Sequence, residues 1–467
     1  MMGTEIRKRQ MDMIHGPIWN KILLFALPVA ATAILEQLFN ASDVAVVGNF
    51  TGEMHNAAVA AVGANSPIIS LIVNLFIGIA LGANVVIAHD IGNGDRDSVR
   101  KTVHTSILVA LIGGVLVGII GELVAAPLLG ILQVPEDVFP LALTYLRIYF
   151  LGLPVILLYN FEAAIFRSIG QTRIPLIALA ASGVLNVLLN LFFVIVLHMT
   201  VDGVAIATVV SNAVSSVILY CILRRTTQVI RVEPKELRID PKSLKRVLRI
   251  GLPAGIQSAV FSVANIIIQS AINSLGTVVM AASSAAYNIE IITYDILNSF
   301  SQACTTFVGQ NFGAHELKRC RKTLALCLAE GLAVLLAAIV LILFFGKPLL
   351  SVFNKDPEVI SVGYTRLALL MTAHIFSLFY EVLSGYLRGF GISLLPATLT
   401  MLGVCGVRLS WIYLVFPKHR TFGTIMMAFP ISLAVTALFM LIAVVCCRPS
   451  HRHAADRNAP EKDLIHQ

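Results

Sequence analysis

Apolar residues run in windows of 18 or more along almost the whole chain, each long enough to cross a hydrocarbon core of about 30 Å as a helix. Short polar or charged breaks separate them, and the two-residue alternation of a membrane β-barrel is missing. The pattern predicts twelve spans at 18–48, 57–89, 102–131, 138–166, 174–197, 202–223, 246–274, 279–309, 323–353, 358–387, 394–416 and 422–447. The fold class expected is an all-α polytopic membrane protein. Composition agrees: 57% of the 467 residues are hydrophobic and 13% charged, with a mean hydropathy of +0.85. Such a chain has the bilayer as its solvent. The first apolar run continues past Asp43 without a small-residue cleavage site, so it is expected to remain as a helix rather than be removed as a leader.

The net charge of +8 reports topology rather than a nucleic-acid partner. With both termini placed in the cytoplasm, the inward loops hold Arg7-Lys8-Arg9, Arg96, Arg100, Lys101, Arg167, Arg173, the dense run from Arg224 to Arg249, Lys318 to Lys322, Arg388 and the terminal arginines. The outward loops hold Lys347, Lys355, Lys418 and Arg420, leaving Lys21, Arg147, Arg366 and Arg408 in or beside spans. That asymmetry is the positive-inside signature. The seven cysteines have no paired metal spacing, and no cofactor is expected.

The stretch from Arg224 divides the chain near its middle, and the sequence on one side repeats on the other. Ile22 to Pro28 matches Val247 to Pro253 at an offset of 225; Gly92 to Thr102 matches Gly313 to Thr323, and Phe166 to Gly170 with Pro175 matches Leu387 to Gly391 with Pro396, both at 221. Six spans per half return the chain to the side it left, so the repeats are parallel, related by an axis along the membrane normal. The organisation expected is a six-helix lobe over 1–223, a cytoplasmic linker at 224–245, a second lobe over 246–447 and a cytoplasmic tail at 448–467. Folds of this kind bind their solute near the midplane.

Carboxylates inside spans are costly and so mark candidate sites. Glu36, Asp43, Glu122, Glu162, Glu290, Asp295, Glu330 and Glu381 qualify, with Glu122, Glu162 and Glu330 toward span ends where water reaches. Glu36, Asn40 and Asp43 share one face of the first helix. The stripe is either an interhelical hydrogen-bond cluster or a cation site, and two like charges in low dielectric resist joint ionisation, which suits a proton carrier. Asn186 and Asn190 form a further polar pair, one turn apart in the fifth span. In the second half, Glu290 and Asp295 point about 140° apart on the eighth helix, and Tyr287 and Tyr294 flank Glu290. A carboxylate between aromatic rings suits an organic cation, or the rings pack beside a satisfied glutamate. Pro28 and Pro253 each remove a helix hydrogen bond and allow a bend.

At these residues the chain resembles the multidrug and toxic compound extrusion family, over about residues 15–447. Leu27-Pro28 is followed fifteen residues on by Asp43 in Ser-Asp-Val-Ala-Val-Val-Gly48; Val308-Gly-Gln-Asn-Phe-Gly-Ala314 and Leu387-Arg388-Gly389 follow in the second half. The resemblance implies twelve helices in two lobes, alternating access, and export of mostly cationic amphipathic compounds against inward H⁺ or Na⁺. It implies that Asp43 is the cation-binding aspartate, Pro28 the bending proline and Asn186 a polar fifth-helix position. The chain departs from the family where Asn190 replaces a second acid of proton-coupled members. It departs again where Phe261 and Ser377 stand in the sodium pattern of others, leaving Glu381 one turn from that position. H⁺ is therefore preferred over Na⁺, with Na⁺ at Asp43 the alternative. Glu290 matches an acid common in one branch of the family and is retained as a substrate or coupling residue, with Glu381, Tyr287 and Tyr294 as cavity candidates.

The expected setting is a bacterial cytoplasmic membrane, with small organic cations or amphipathic drugs as partners, no nucleic acid, and a monomer. A lipid-linked oligosaccharide flippase of the same superfamily is the rival, and would favour a cationic cavity. An enzyme would need a nucleophile or metal motif, and His89, His104, His198, His315 and His374 are scattered. A receptor or scaffold leaves the acidic stripe and the duplicated prolines unexplained.

Overall fold

A computed structural model describes residues 11–449. The Arg7-Lys8-Arg9 cluster and all but the first two residues of the 448–467 tail lie outside the described residues. Among the described residues twelve helices follow in order: α1 Trp19–Phe50, α2 His55–Gly92, α3 Arg96–Ile131, α4 Phe139–Ser168, α5 Arg173–Val196, α6 Val201–Arg225, α7 Pro241–Asn273, α8 Thr277–Gly313, α9 Leu317–Phe353, α10 Pro357–Gly389, α11 Leu394–Leu414 and α12 Phe422–Cys447. Eleven are long and apolar enough to span a membrane by length and composition; α8 is the exception. Its polar side chains, Ser283, Ser284, Asn288, Glu290 and Asp295 among them, lower its hydropathy without shortening it. Backbone groups in lipid must be satisfied within the segment, and continuous helices achieve this.

Two compact units divide the chain. One holds Leu27–Ile87 and Asp95–Val263; the other holds Asp12–Ala26, Ala88–Gly94 and the chain from Ala264 onward. Three helices, α1, α2 and α7, therefore change unit along their length, and α1 does so immediately before Pro28.

In the first unit α4 packs on α3 and α6, and α5 on α6. Between helices in lipid the attraction is close packing rather than hydrophobic exclusion, so small residues set the approach. A Cβ on Gly114 would stand 2.5 Å from the Pro154 Cα, and one on Gly118 would stand 2.8 Å from the Phe150 carbonyl oxygen. Gly130, near the end of the same helix, has nothing within 4 Å. Gly114→Val is expected to destabilise by about 1–3 kcal/mol through overpacking, and Gly130→Val to be neutral; comparing their thermal unfolding midpoints in detergent checks it. The charged linker docks on α3: the Glu233 amide donates to His104 Nε2 at 3.0 Å and the Asp240 amide to Thr105 Oγ1 at 3.0 Å. Arg100 pairs with both Glu233 and Glu236.

In the second unit α10 packs on α8, α9 and α12. Its last turns lie tight on α8: a Cβ on Gly385 would stand 2.6 Å from the Ser301 carbonyl oxygen, and Thr305 Oγ1 donates to the Gly385 carbonyl at 3.1 Å. Asn311, from the Val-Gly-Gln-Asn run, has a structural task. Its Nδ2 donates to the Met13 carbonyl at 3.1 Å, and its Oδ1 accepts from Arg319 Nε at 3.0 Å.

The duplication is visible in backbone conformation. Gly170 and Gly391, 221 apart, have φ of 78° and 79°; Gly94 and His315, also 221 apart, have 76° and 64°. One contact is reciprocal. A Cβ on Gly92 would collide with the Gln310 carbonyl and stand 2.8 Å from the Ala314 amide, while one on Gly313 would collide with the His89 carbonyl and stand 3.0 Å from the Asn93 amide. Adding 221 to His89, Gly92 and Asn93 gives Gln310, Gly313 and Ala314, so the pair maps onto itself when the halves are exchanged.

Candidate functional site

Asp43 lies seven residues from the end of α1 and is 5% exposed. Its Oδ1 accepts from Asn190 Nδ2 at 2.6 Å and its Oδ2 lies 2.9 Å from Thr208 Oγ1. Asn190 Nδ2 also donates to Asn186 Oδ1 at 3.2 Å, and Asn186 Nδ2 stands 3.5 Å from Thr208 Oγ1. The one-turn spacing of the two asparagines puts both amides on the face of α5 that meets α1 and α6. Just beyond Asn190 the helix widens into a π-turn at Phe192–Val196. Such turns recur at functional sites because they rotate the side chains that follow.

Among the described residues, no lysine, arginine or histidine forms an ion pair with Asp43. Tyr145 and Tyr149 of α4, their rings stacked at 6.4 Å, lie within electrostatic reach of it. The rest of the first-helix stripe behaves differently. Asn40 is exposed, and Glu36 is half-buried within electrostatic reach of Tyr159 and Arg167. The structure thus brings Asp43, Asn186 and Asn190 together and adds Thr208, which the sequence pattern had not singled out. A signal was available: Thr208, Ser211, Asn212, Ser215 and Ser216 fall at helical spacing and make α6 polar along one face. Ser216 at the far end of that face donates to Glu162 Oε2 at 2.9 Å, with Glu162 fully buried.

Pro28 lies inside an unbroken α1, where Thr32 Oγ1 donates to the Pro28 carbonyl at 2.8 Å; Pro253 likewise lies inside α7.

The second half assembles a different cluster. Glu290 on α8 is held by Arg366 of α10, whose Nε and Nη2 reach Oε2 at 3.1 and 2.8 Å while Nη1 donates to Ser283 Oγ at 2.5 Å. This changes the expectation of a carboxylate framed by Tyr287 and Tyr294 for an incoming cation. The cation over the Tyr287 ring is the Arg366 guanidinium, 5.8 Å from its centroid, and Tyr294 donates to Glu381 Oε1 at 3.0 Å. Glu381 also has Arg388 in electrostatic reach. Arg388 is 7% exposed, a buried side chain where the charge pattern had placed a loop cation.

Most residues of both clusters fall inside one pair of matching segments. The family model described as MatE matches residues 28–192 and 253–414, most of the chain and one segment in each half. The chain belongs to the MatE family. Among curated relatives, the probable multidrug resistance protein YoeA of Bacillus subtilis is 24% identical over 434 residues, covering 91% of this chain and 92% of that protein. The probable multidrug resistance protein NorM of Thermotoga maritima is 27% identical over 406 residues, covering 84% of each. A solved structure described as the outward-facing conformation of a multidrug resistance MATE family transporter aligns with a TM-score of 0.87 at 21% identity, covering 97% of this chain and 99% of that one. The twelve helices, in two six-helix halves, are thus the MatE fold, and this MatE chain is a multi-pass membrane transporter and not an enzyme. Asp43, Asn186, Asn190 and Glu290 lie within the MatE segments, whereas Thr208 lies between them.

Proposed function

We propose that this chain is a cation-coupled secondary antiporter that exports amphipathic, mostly cationic organic compounds by alternating access, with H⁺ as the coupling ion. It works as a multi-pass protein of a bacterial cytoplasmic membrane with both termini in the cytoplasm. The observation that carries the reading is Asp43: a buried carboxylate whose hydrogen-bonding partners, Asn190 and Thr208, are neutral. A buried charge needs a counter-charge. Here an exchangeable cation supplies it, and that exchange is the elementary step of coupling.

The hydrogen-bond arithmetic favours a proton. Thr208 has one hydroxyl hydrogen and two acceptors, the Val204 carbonyl at 3.0 Å and Asp43 Oδ2 at 2.9 Å. A protonated Asp43 resolves the conflict: its Oδ2–H donates to Thr208 Oγ1, and Thr208 donates to Val204. Ionised Asp43 takes the hydroxyl hydrogen back and leaves the carbonyl with only its helical bond. Proton binding is thereby linked to a bond on α6, so the two forms differ in helix-to-helix contacts and bias the conformational equilibrium differently.

The test is efflux of a fluorescent amphipathic cation from proteoliposomes under separately imposed H⁺ and Na⁺ gradients. The H⁺ gradient is expected to drive it at matched Na⁺. Efflux that follows only the Na⁺ gradient would reassign Asp43 as a sodium site. The flippase reading draws support from the two buried arginines of the second half, Arg366 and Arg408. Scrambling of a fluorescent lipid-linked sugar by the same vesicles, without cation efflux, would favour it.

A further inference from the structure

The cluster around Glu290 contains more buried positive charge than that one carboxylate can neutralise. Arg366, Arg408 and Glu290 are 4%, 7% and 9% exposed. Arg366 occupies Glu290 Oε2 with two of its nitrogens, as described above. Arg408 of α11 has Glu290 within electrostatic reach but makes no ion pair with a carboxylate among the described residues. Its Nε donates to Ser432 Oγ at 2.9 Å, and its guanidinium carbon lies 4.3 Å from the Phe429 ring centroid. Arg366 approaches the same ring at 5.9 Å. His374, 5% exposed, stands within electrostatic reach of both arginines; its Nε2 is 4.0 Å from Glu290 Oε1 and has no hydrogen-bond partner.

A guanidinium kept from water without a carboxylate in direct contact is among the most costly arrangements a fold can hold. The aromatic face and one serine offset part of that cost. The remainder points to a ligand. A guanidinium is a planar fork whose geometry matches two oxygens of a carboxylate or phosphate, and an imidazole nitrogen without a partner offers a third contact to the same group. The setting is specific to Arg408: the backbone before it leaves α-helical register at Met401–Gly406, a π-turn that sets the direction in which Arg408 leaves the helix.

We propose that Arg408 and His374, backed by Phe429 and the Arg366–Glu290 pair, form a binding site for an oxyanion, the carboxylate or phosphate group of an amphipathic compound or lipid. As a substrate contact the site rests on the transport reading above; as a binding site it stands apart from it. A transported compound with both an amine and an acid would place its acid here.

The test uses full-length protein in detergent carrying Trp19→Phe, which leaves Trp411 as the remaining tryptophan. Trp411 lies one turn after Arg408 and is fixed by its Nε1 donating to the Thr424 carbonyl at 2.8 Å. Its emission is titrated with sodium benzoate and with inorganic phosphate at constant sodium chloride, and the protein is compared in nanodiscs of phosphatidylcholine with and without phosphatidic acid. A saturable change with at least one oxyanion, weakened at least tenfold in Arg408→Gln, is expected. A response to phosphatidic acid alone identifies a lipid headgroup as the source, and a response to the soluble anions identifies a solute. If Arg408→Gln does not fold, Arg408→Lys, which keeps the charge and loses the fork, should bind at least threefold more weakly. No saturable change with any of the three, or unchanged affinity in whichever Arg408 variant folds, overturns the site. Cation efflux is scored separately on the same protein, so a failed titration with intact efflux removes this site and leaves the coupling assignment standing.

Discussion

Asp43→Asn should reduce gradient-driven efflux to the level of protein-free liposomes while leaving the protein folded. The two side chains have nearly the same shape, so Asn190 Nδ2 keeps an acceptor and the packing of α1 against α5 and α6 is undisturbed. One buried hydrogen bond is altered at most, a cost of about 1 kcal/mol, which an unfolding midpoint in detergent can verify. What the amide lacks is the ability to gain and lose a charge. In the Asp43→Asn protein an NH₂ faces Thr208 permanently, which resembles the protonated aspartate and holds the Thr208-to-Val204 bond in place. The transporter would be locked in the equilibrium of its loaded form. Efflux at wild-type rate by folded Asp43→Asn protein would remove Asp43 from the coupling role, and Glu36 would be the next carboxylate to examine.

The largest loss of stability is expected from Glu290→Gln. Removing one partner of a buried ion pair costs about 3–5 kcal/mol, chiefly because the other charge is left uncompensated. Here the loss falls first on Arg366, which is paired with Glu290, and then on Arg408, which has the same carboxylate within electrostatic reach. Arg366→Gln should be milder, because Glu290 keeps Arg408 in electrostatic reach. The ordering is therefore asymmetric: the unfolding midpoint falls further for Glu290→Gln than for Arg366→Gln, and the double variant recovers part of the difference. Equal midpoints, or the reverse order, would show that Arg408 does not depend on Glu290.

Sequence was most informative where a single helix carries the information. The helix pattern, the repeat and the intrahelical prolines are properties of one segment or of two compared in register; α8 forms as a helix where a span was expected, although its polar residues keep it from being apolar enough to span by composition. The site was legible only in part. Asp43, Asn186 and Asn190, which the structure brings together, stand out in the sequence because each is a polar residue in an apolar run. Thr208 was not, because threonine is common in membrane helices and its importance comes from facing Asp43 across 165 residues of sequence. The fate of Glu290 was hidden for the same reason. Arg366 was visible as a cation inside a span, but whether it faces Glu290 depends on the rotational phase of α10 against α8, which no one-dimensional pattern contains. Tyr287 and Tyr294 flank Glu290 in sequence, yet one lies under an arginine and the other serves Glu381.

The reciprocal contact between the ends of α2 and α8 ties two positions 221 residues apart to one constraint. In that contact the first half presents Gly92 to Gln310 and the second presents Gly313 to His89, each glycine meeting the counterpart of its own neighbour. This is the contact pattern of a two-fold homodimer, in which one surface patch meets its own copy. A side chain at either glycine would therefore press on backbone of the other half, so neither position can gain a Cβ without moving its counterpart. The symmetry stops there: away from this seam one half keeps a neutral cage around an aspartate and the other gathers arginines.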